Sequence, residues 1–107
     1  MKKDITQIRK DLITRFGYIR NRANISAREV SLQLSKSIAY VAKFENGDFN
    51  IPTEVLLNAI QICNSTPSEF FYYDMSKYHE HKLLIEKYEK LSEDNKNTIK
   101  ELLSNLK

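Results

Sequence analysis

The chain has 107 residues, of which 41% are hydrophobic and 29% are charged, proportions typical of one soluble globular domain. Two glycines and two prolines are too few for the tight turns of a sandwich or barrel, which favours an all-α fold. The single cysteine excludes a disulfide within the chain and a cysteine-based zinc site. No stretch approaches the roughly 20 apolar residues of a membrane span, and the N-terminus lacks a signal-peptide core, so we expect a cytoplasmic protein.

The positive charge lies mostly at the beginning of the chain. Residues 1–26 carry seven Lys or Arg against two Asp or Glu, a net charge of +5, whereas the whole chain has +3. Residues 51–75 carry three acidic side chains and no Lys or Arg. The basic segment predicts a surface that could bind a polyanion, although a charge of this size is weak support when taken alone.

Apolar residues recur every three or four positions from Ile5 to Ile19 and predict a long amphipathic first helix. We expect this helix to end near Asn24, because asparagine tolerates the left-handed conformation of a helix C-terminus. Ser26, with Glu29 three residues later, has the pattern of a capping box and predicts the start of a second, short helix.

The next three predicted helices are also short. Ser37 is expected to cap a third helix over about residues 38–45. Thr53 is expected to cap a fourth helix that ends around Asn64, and Ser68 begins a fifth helix or turn.

The second and third helices, over residues 27–34 and about 38–45, are joined by two or three residues. Helices this short are unstable alone, so we expect them to pack together as a helix-turn-helix. The residues that carry the more specific signal are Ile25-Ser26-Ala27-Arg28-Glu29-Val30, then Leu34-Ser35-Lys36-Ser37, then Val41-Ala42-Lys43-Phe44-Glu45-Asn46-Gly47.

This segment resembles the Cro/C1-type (XRE family) helix-turn-helix transcriptional regulators of bacteria and phages. The similarity covers roughly residues 12–71, and the Glu-Asn-Gly after the third helix is its most discriminating part. The resemblance implies a five-helix λ-repressor-like DNA-binding domain over residues 1–73, followed by a helical C-terminal extension over residues 74–107.

The resemblance also implies which residues contact DNA, because the family uses the start of its second helix and the exposed face of its third. The matching positions are Ala27, Arg28, Ser37, Ile38, Ala39, Tyr40, Ala42 and Lys43. Many relatives carry Gln, Arg, Asn or Thr at such positions, but Ile38, Ala39 and Ala42 have no side-chain hydrogen-bonding group. They can contact thymine methyl groups or simply allow close approach. Direct readout of bases then depends on Lys43, and the other polar side chains are assigned to phosphates.

Further family positions concern the architecture of the domain. Arg20 and Glu45 match a pair that joins the first helix to the end of the third, and we expect a structural ion pair here. Ser35 stands where the family usually has glycine, a position that can require a positive φ. Lys36 replaces a small apolar residue and has to extend its ammonium group to solvent. Asp48 replaces a frequent cation, so we expect modest affinity for DNA.

The C-terminal extension carries two apolar stripes at helical spacing, with Ser92 as the predicted cap of the last helix. The stripe residues are Leu83, Leu84, Tyr88, Leu91, Ile99, Leu102, Leu103 and Leu106. They either fold back onto the core of the domain or form a dimer interface. We favour a dimer, because the family domain is complete without them and a two-fold protein matches a palindromic operator.

Other signals are weaker. His79 and His81 are two residues apart, which is not the spacing of a helical zinc site, and we expect them to be exposed. Cys63 is expected in the core, with a redox-sensing thiol as the less favoured alternative. No catalytic constellation is present, so we expect no enzyme, no metal, no cofactor and no small-molecule ligand.

The sequence therefore predicts a regulator that binds double-stranded DNA as a homodimer and represses transcription. The alternative is a protein-interaction module on the same scaffold, such as an antirepressor or an antitoxin-like protein, with weak DNA binding.

Overall fold

The computed structural model describes residues 4–106, and these residues form seven α-helices and no strand. The helices are α1 (Ile5–Arg22), α2 (Ala27–Gln33), α3 (Tyr40–Glu45), α4 (Thr53–Ile62), α5 (Pro67–Phe70), α6 (Tyr78–Glu89) and α7 (Glu93–Asn105). A 3₁₀ turn at Met75–Lys77 precedes α6. The predicted all-α class is confirmed.

The described chain divides after Met75 into two compact units, which we call the N-terminal unit (residues 4–75) and the C-terminal unit (residues 76–106). The boundary lies two residues beyond the one predicted from the sequence. The ends of the two predicted domains, residues 1–3 and 107, lie outside the described residues, and these include Lys2 and Lys3 of the basic segment.

The N-terminal unit has a core of buried hydrophobic side chains. These are Phe16, Ile19, Val30, Val41, Phe44, Leu56, Ala59, Ile60, Cys63 and Phe70, so α1 to α5 all contribute. The rings of Phe16 and Phe44 meet edge to face, with centroids 5.6 Å apart, and this contact joins α1 to α3. The short α2 and α3 are therefore stabilised by tertiary packing, as their length requires.

Four described residues with positive φ end the first four helices: Asn24 (57°), Ser35 (61°), Gly47 (83°) and Asn64 (58°). Each stands one residue after the C-cap and lies within a Schellman motif, in which two backbone N–H groups reach back to the last turn. After α1, for example, Ile25 N donates to the Arg20 carbonyl at 3.3 Å. The predicted left-handed residues at positions 24 and 35 are confirmed.

The start of α3 differs from the prediction. The helix begins at Tyr40 rather than near residue 38, and its N-cap is Ala39 rather than Ser37. The reason lies in α2, where the buried hydroxyl of Ser31 accepts a hydrogen bond from Val41 N at 3.0 Å. Because a neighbouring helix satisfies this N–H, α3 needs no capping side chain next to it in sequence.

Two further helix starts also differ. Pro52, not Thr53, is the N-cap of α4, since its φ of −62° and ψ of 145° supply the extended entry to the helix. The helix α5 begins at Pro67, one residue before the predicted Ser68. Its cap is Thr66, whose hydroxyl accepts from Glu69 N at 3.2 Å.

The C-terminal unit consists of α6 and α7. Ser92 caps α7 as predicted and accepts from Asn95 N at 3.2 Å. Lys96 Nζ lies 3.7 Å from the Glu89 carboxylate and 5.6 Å from the Tyr88 ring centroid, so it links the two helices. No helix among residues 4–106 is long and apolar enough to cross a membrane.

Candidate nucleic-acid interface

The pair α2–turn–α3 is held together by a buried serine. Ser31 donates its hydroxyl to the Ala27 carbonyl at 2.8 Å and accepts from Val41 N at 3.0 Å. Apolar packing also holds α2 and α3 together, since Val30, Val41 and Phe44 are all buried in the same core. Sequence reasoning missed Ser31, although a polar residue beside Val30 on the inner side of a short helix is the signal that could have identified it.

The outer side of this pair carries the predicted DNA contacts. Ile38 is 52% exposed, and Ala42 and Lys43 are also exposed. Ile38 lies in the turn before α3, whereas Ala42 and Lys43 lie within the helix, on the side away from its buried residues Val41 and Phe44. Arg28 and Ser37 are exposed as well. We call Ile38, Ala42 and Lys43 the outer stripe of α3.

The other predicted contacts are less open. Ala27 and Ala39 are half-buried. The ring of Tyr40 is also half-buried and lies 4.9 Å, centroid to centroid, from that of Phe49. The ammonium group of the exposed Lys36 lies 5.4 Å from the Tyr40 ring centroid. Through this contact with Phe49, Tyr40 packs the segment after α3 against the helix.

An ion pair positions α3 on α1. Arg20 Nε lies 2.7 Å from Glu45 Oε2 and its Nη2 lies 2.9 Å from Oε1, a bidentate arrangement. Arg20 Nη1 also donates to the Ile25 carbonyl at 3.1 Å. The hydrogen bonds to Glu45 raise the pKa of Arg20, an effect that outweighs its partial burial. These are the two residues that the sequence predicted as a pair.

Other arginines of the basic segment also bind the protein itself. Arg9 donates to the Gly47 carbonyl at 2.6 Å, at the C-terminal end of α3. Arg15 donates to the carbonyls of Phe70 at 2.8 Å and Tyr72 at 2.5 Å, so it holds the chain after α5. Arg9 and Arg15 therefore help to hold the domain together, while their neutral carbonyl partners leave the positive charges in place.

A second ion pair joins the end of α1 to α5. Arg22 Nη1 lies 2.5 Å from Glu69 Oε2 and its Nη2 lies 2.9 Å from Oε1. The Glu69 side chain is only 3% exposed, and its carboxylate also accepts from the Ser65 hydroxyl at 2.6 Å. The pairing with Glu69 raises the pKa of Arg22. Sequence reasoning missed this network, although the opposite charges of residues 1–26 and 51–75 were a signal for it.

Five residues of the two C-terminal stripes, Leu84, Tyr88, Leu91, Ile99 and Leu103, line a groove between α6 and α7, whereas Leu83, Leu102 and Leu106 lie outside it. Leu83, Leu84, Leu102, Leu103 and Leu106 are each more than half exposed, whereas Tyr88, Leu91 and Ile99 are half-buried. Ile85, which was not predicted, is 57% exposed and lines the same groove. The groove has a volume of about 590 Å³.

The remaining candidates lie apart from these surfaces. Cys63 is fully buried, as predicted, and burial raises the pKa of its thiol to about 11. His79 is exposed, whereas His81 is half-buried, which corrects the prediction for the second histidine. Among residues 4–106, no three His, Cys, Asp or Glu side chains are grouped as metal ligands would be.

Comparison with other proteins adds no relative: no family model, curated protein or solved structure matches the chain.

Proposed function

We propose that this protein is a sequence-specific, double-stranded-DNA-binding transcriptional regulator of the Cro/C1 type, acting in the cytoplasm as a repressor. In this proposal α1 to α5 form the λ-repressor-like domain, α3 enters the major groove and α2 braces it. The observation that carries the proposal is the packed α2–turn–α3 pair, in which Ser31 joins the two helices on the buried side and the stripe of Ile38, Ala42 and Lys43 is exposed.

The charges around α2 and α3 support the binding of an anion. Arg20 neutralises Glu45, so this carboxylate does not oppose the phosphates of a bound duplex. Arg28, Lys36 and Lys43 are exposed cations on the same two helices and the turn between them. Glu29 and Asp48 are exposed acids nearby, which is why we expect modest rather than tight binding.

The C-terminal unit supplies the proposed homodimer interface. Its helices have 12 and 13 residues, and neither buries a side chain completely. Helices of this length are marginal in water without tertiary packing, and their exposed leucines provide a surface that a second copy can cover. A two-fold dimer would present two α3 helices to half-sites about 34 Å apart.

The test of the proposal is fluorescence anisotropy with DNA from upstream of the protein's own gene, compared with a scrambled duplex over a salt series. A regulator should bind the upstream fragment about a thousandfold more tightly and show a measurable salt dependence. Equal and weak binding of both duplexes would contradict the proposal. It would favour the alternative of a protein-interaction module, for which the apolar outer stripe would be the contact surface.

A variant separates base readout from phosphate contact. Lys43→Ala is expected to weaken binding of the specific duplex more than binding of the scrambled one, because Lys43 stands at the end of the outer stripe. Lys100→Ala, an exposed lysine of α7, is the matched control and should change neither affinity. An equal loss on both duplexes after Lys43→Ala would assign Lys43 to a phosphate.

A further inference from the structure

We infer that the outer stripe of α3 recognises the 5-methyl group of thymine, so that thymines at the positions facing Ile38 and Ala42 define the target DNA. This inference rests on the proposed DNA binding and names the chemical group that the interface selects.

The first argument is the exposure of an aliphatic side chain in a position where a polar one would be expected. Ile38 is 52% exposed, although it lies two residues before a helix whose inner residues, Val41 and Phe44, are almost completely buried. Ala42, within α3, is exposed as well. The part of this surface closest to a bound base would therefore offer methyl and methylene groups.

The second argument is the chemistry of the major groove. Thymine presents a methyl group there beside its O4 acceptor, whereas none of the other bases offers a methyl group next to its hydrogen-bond donors or acceptors. Covering such a polar group with Ile38 would leave it without a partner and would cost binding free energy. A thymine methyl group, by contrast, loses water-exposed apolar surface against Ile38, which favours binding.

The third argument is that the neighbouring residues fit this role. Ala42 has the smallest side chain with a methyl group, so the backbone of α3 can approach the bases closely. Lys43 lies beside the apolar pair and is exposed, and its ammonium group can donate to guanine or to a phosphate. These exposed residues therefore combine methyl recognition with one hydrogen-bond donor, which would fix the position of the protein along the DNA.

The experiment selects binding sites from a random duplex library prepared twice, once with thymine and once with uracil, which lacks the methyl group. The full-length protein is used in both selections, and single thymines of the enriched motif are then replaced by uracil. We expect an enriched motif that contains thymine, and an affinity loss of about fourfold for each methyl group in contact with the protein.

Protein variants identify the residue that contacts the thymine methyl group. Ile38→Ala should reduce the loss caused by uracil at one motif position to near zero. Leu57→Ala is the matched control, because Leu57 is an exposed aliphatic residue of α4 outside the helix-turn-helix, and it should leave the uracil effect unchanged.

The possible outcomes distinguish this inference from the proposed function. A motif that is enriched in both libraries and bound equally with thymine and uracil would overturn methyl recognition but leave sequence-specific DNA binding intact. If neither library yields a motif, both the inference and the proposed function fail. A uracil effect that persists fully in Ile38→Ala would overturn the role of Ile38.

Discussion

The two units of this chain are built from similar helices but differ in where their apolar side chains lie. In the N-terminal unit, side chains from α1 to α5 converge on one buried core around Phe16 and Phe44. In the C-terminal unit, no residue of α6 or α7 is fully buried, and leucines such as Leu103 remain more than half exposed.

An amphipathic pattern indicates both that a helix forms and that one face of it is apolar, but the two units differ in whether that face is covered. The spacing of apolar residues indicates helices in both units, and serine N-caps mark the start of α2 at Ser26 and of α7 at Ser92. They do not specify what covers the apolar face, because that depends on surfaces distant in sequence or on another molecule. In the N-terminal unit the apolar faces of the helices bury one another, whereas in the C-terminal unit several leucines remain exposed to solvent.

The largest effect is expected from removing a core ring. Phe44→Ala should lower the free energy of unfolding of the N-terminal unit by about 3–5 kcal/mol, because it leaves a cavity beside Phe16. Phe71→Ala is the matched control, since Phe71 is 57% exposed, and its effect should be much smaller. Urea denaturation followed by circular dichroism measures both. Similar losses for the two variants would contradict the contrast between buried and exposed apolar residues.

A smaller loss is expected from the buried network at α5. Glu69→Gln should destabilise the N-terminal unit by about 2 kcal/mol, because one side of the amide presents N–H groups to the donors of Arg22 and Ser65. Glu86→Gln in α6 is the control, as Glu86 is exposed, and its effect should be close to zero. The same urea titration compares them. Equal stability of the two variants would show that the network around Glu69 contributes orientation only.

The C-terminal unit should respond in a different way, because its apolar residues are proposed to be covered by a second copy. Leu103→Ala is expected to weaken self-association about tenfold and to leave the unfolding of the N-terminal unit unchanged. Sedimentation velocity over a concentration series measures the first effect, with Leu57→Ala as control. A wild-type chain that stays monomeric throughout the series would remove the dimer from the proposal.

The smallest effect is a gain. Ser35→Gly should stabilise the N-terminal unit by about 0.5–1 kcal/mol, because Ser35 has a φ of 61°, which glycine adopts without strain. Asn24→Gly provides the comparison at a φ of 57°, and we expect a smaller gain there, because asparagine tolerates this conformation. Thermal unfolding measures both. A loss of stability in Ser35→Gly would mean that the hydroxyl has a role beyond the turn.

The features that could be predicted from the sequence are local or involve a residue pair singled out by the family resemblance. The left-handed end of α1 at Asn24 follows from the residue itself, and the resemblance singled out Arg20 and Glu45. The start of α3 could not be predicted in this way, because one of its first N–H groups, that of Val41, is satisfied from α2 by Ser31. The partner of Arg15 lies 55 residues away at Phe70, and only the folded chain brings them together.

The buried thiol of Cys63 makes the N-terminal unit measurable within the intact chain. It is the single cysteine of the sequence, it has no exposed surface, and its raised pKa of about 11 keeps it protonated at neutral pH. A thiol reagent can therefore label it only when the core opens, so the labelling rate reports the opening equilibrium of this unit and not of α6 and α7. DNA bound to the folded state would slow labelling by mass action. The same thiol, buried in the core, would then report the occupancy of the exposed outer stripe of α3, with no dye placed in the interface.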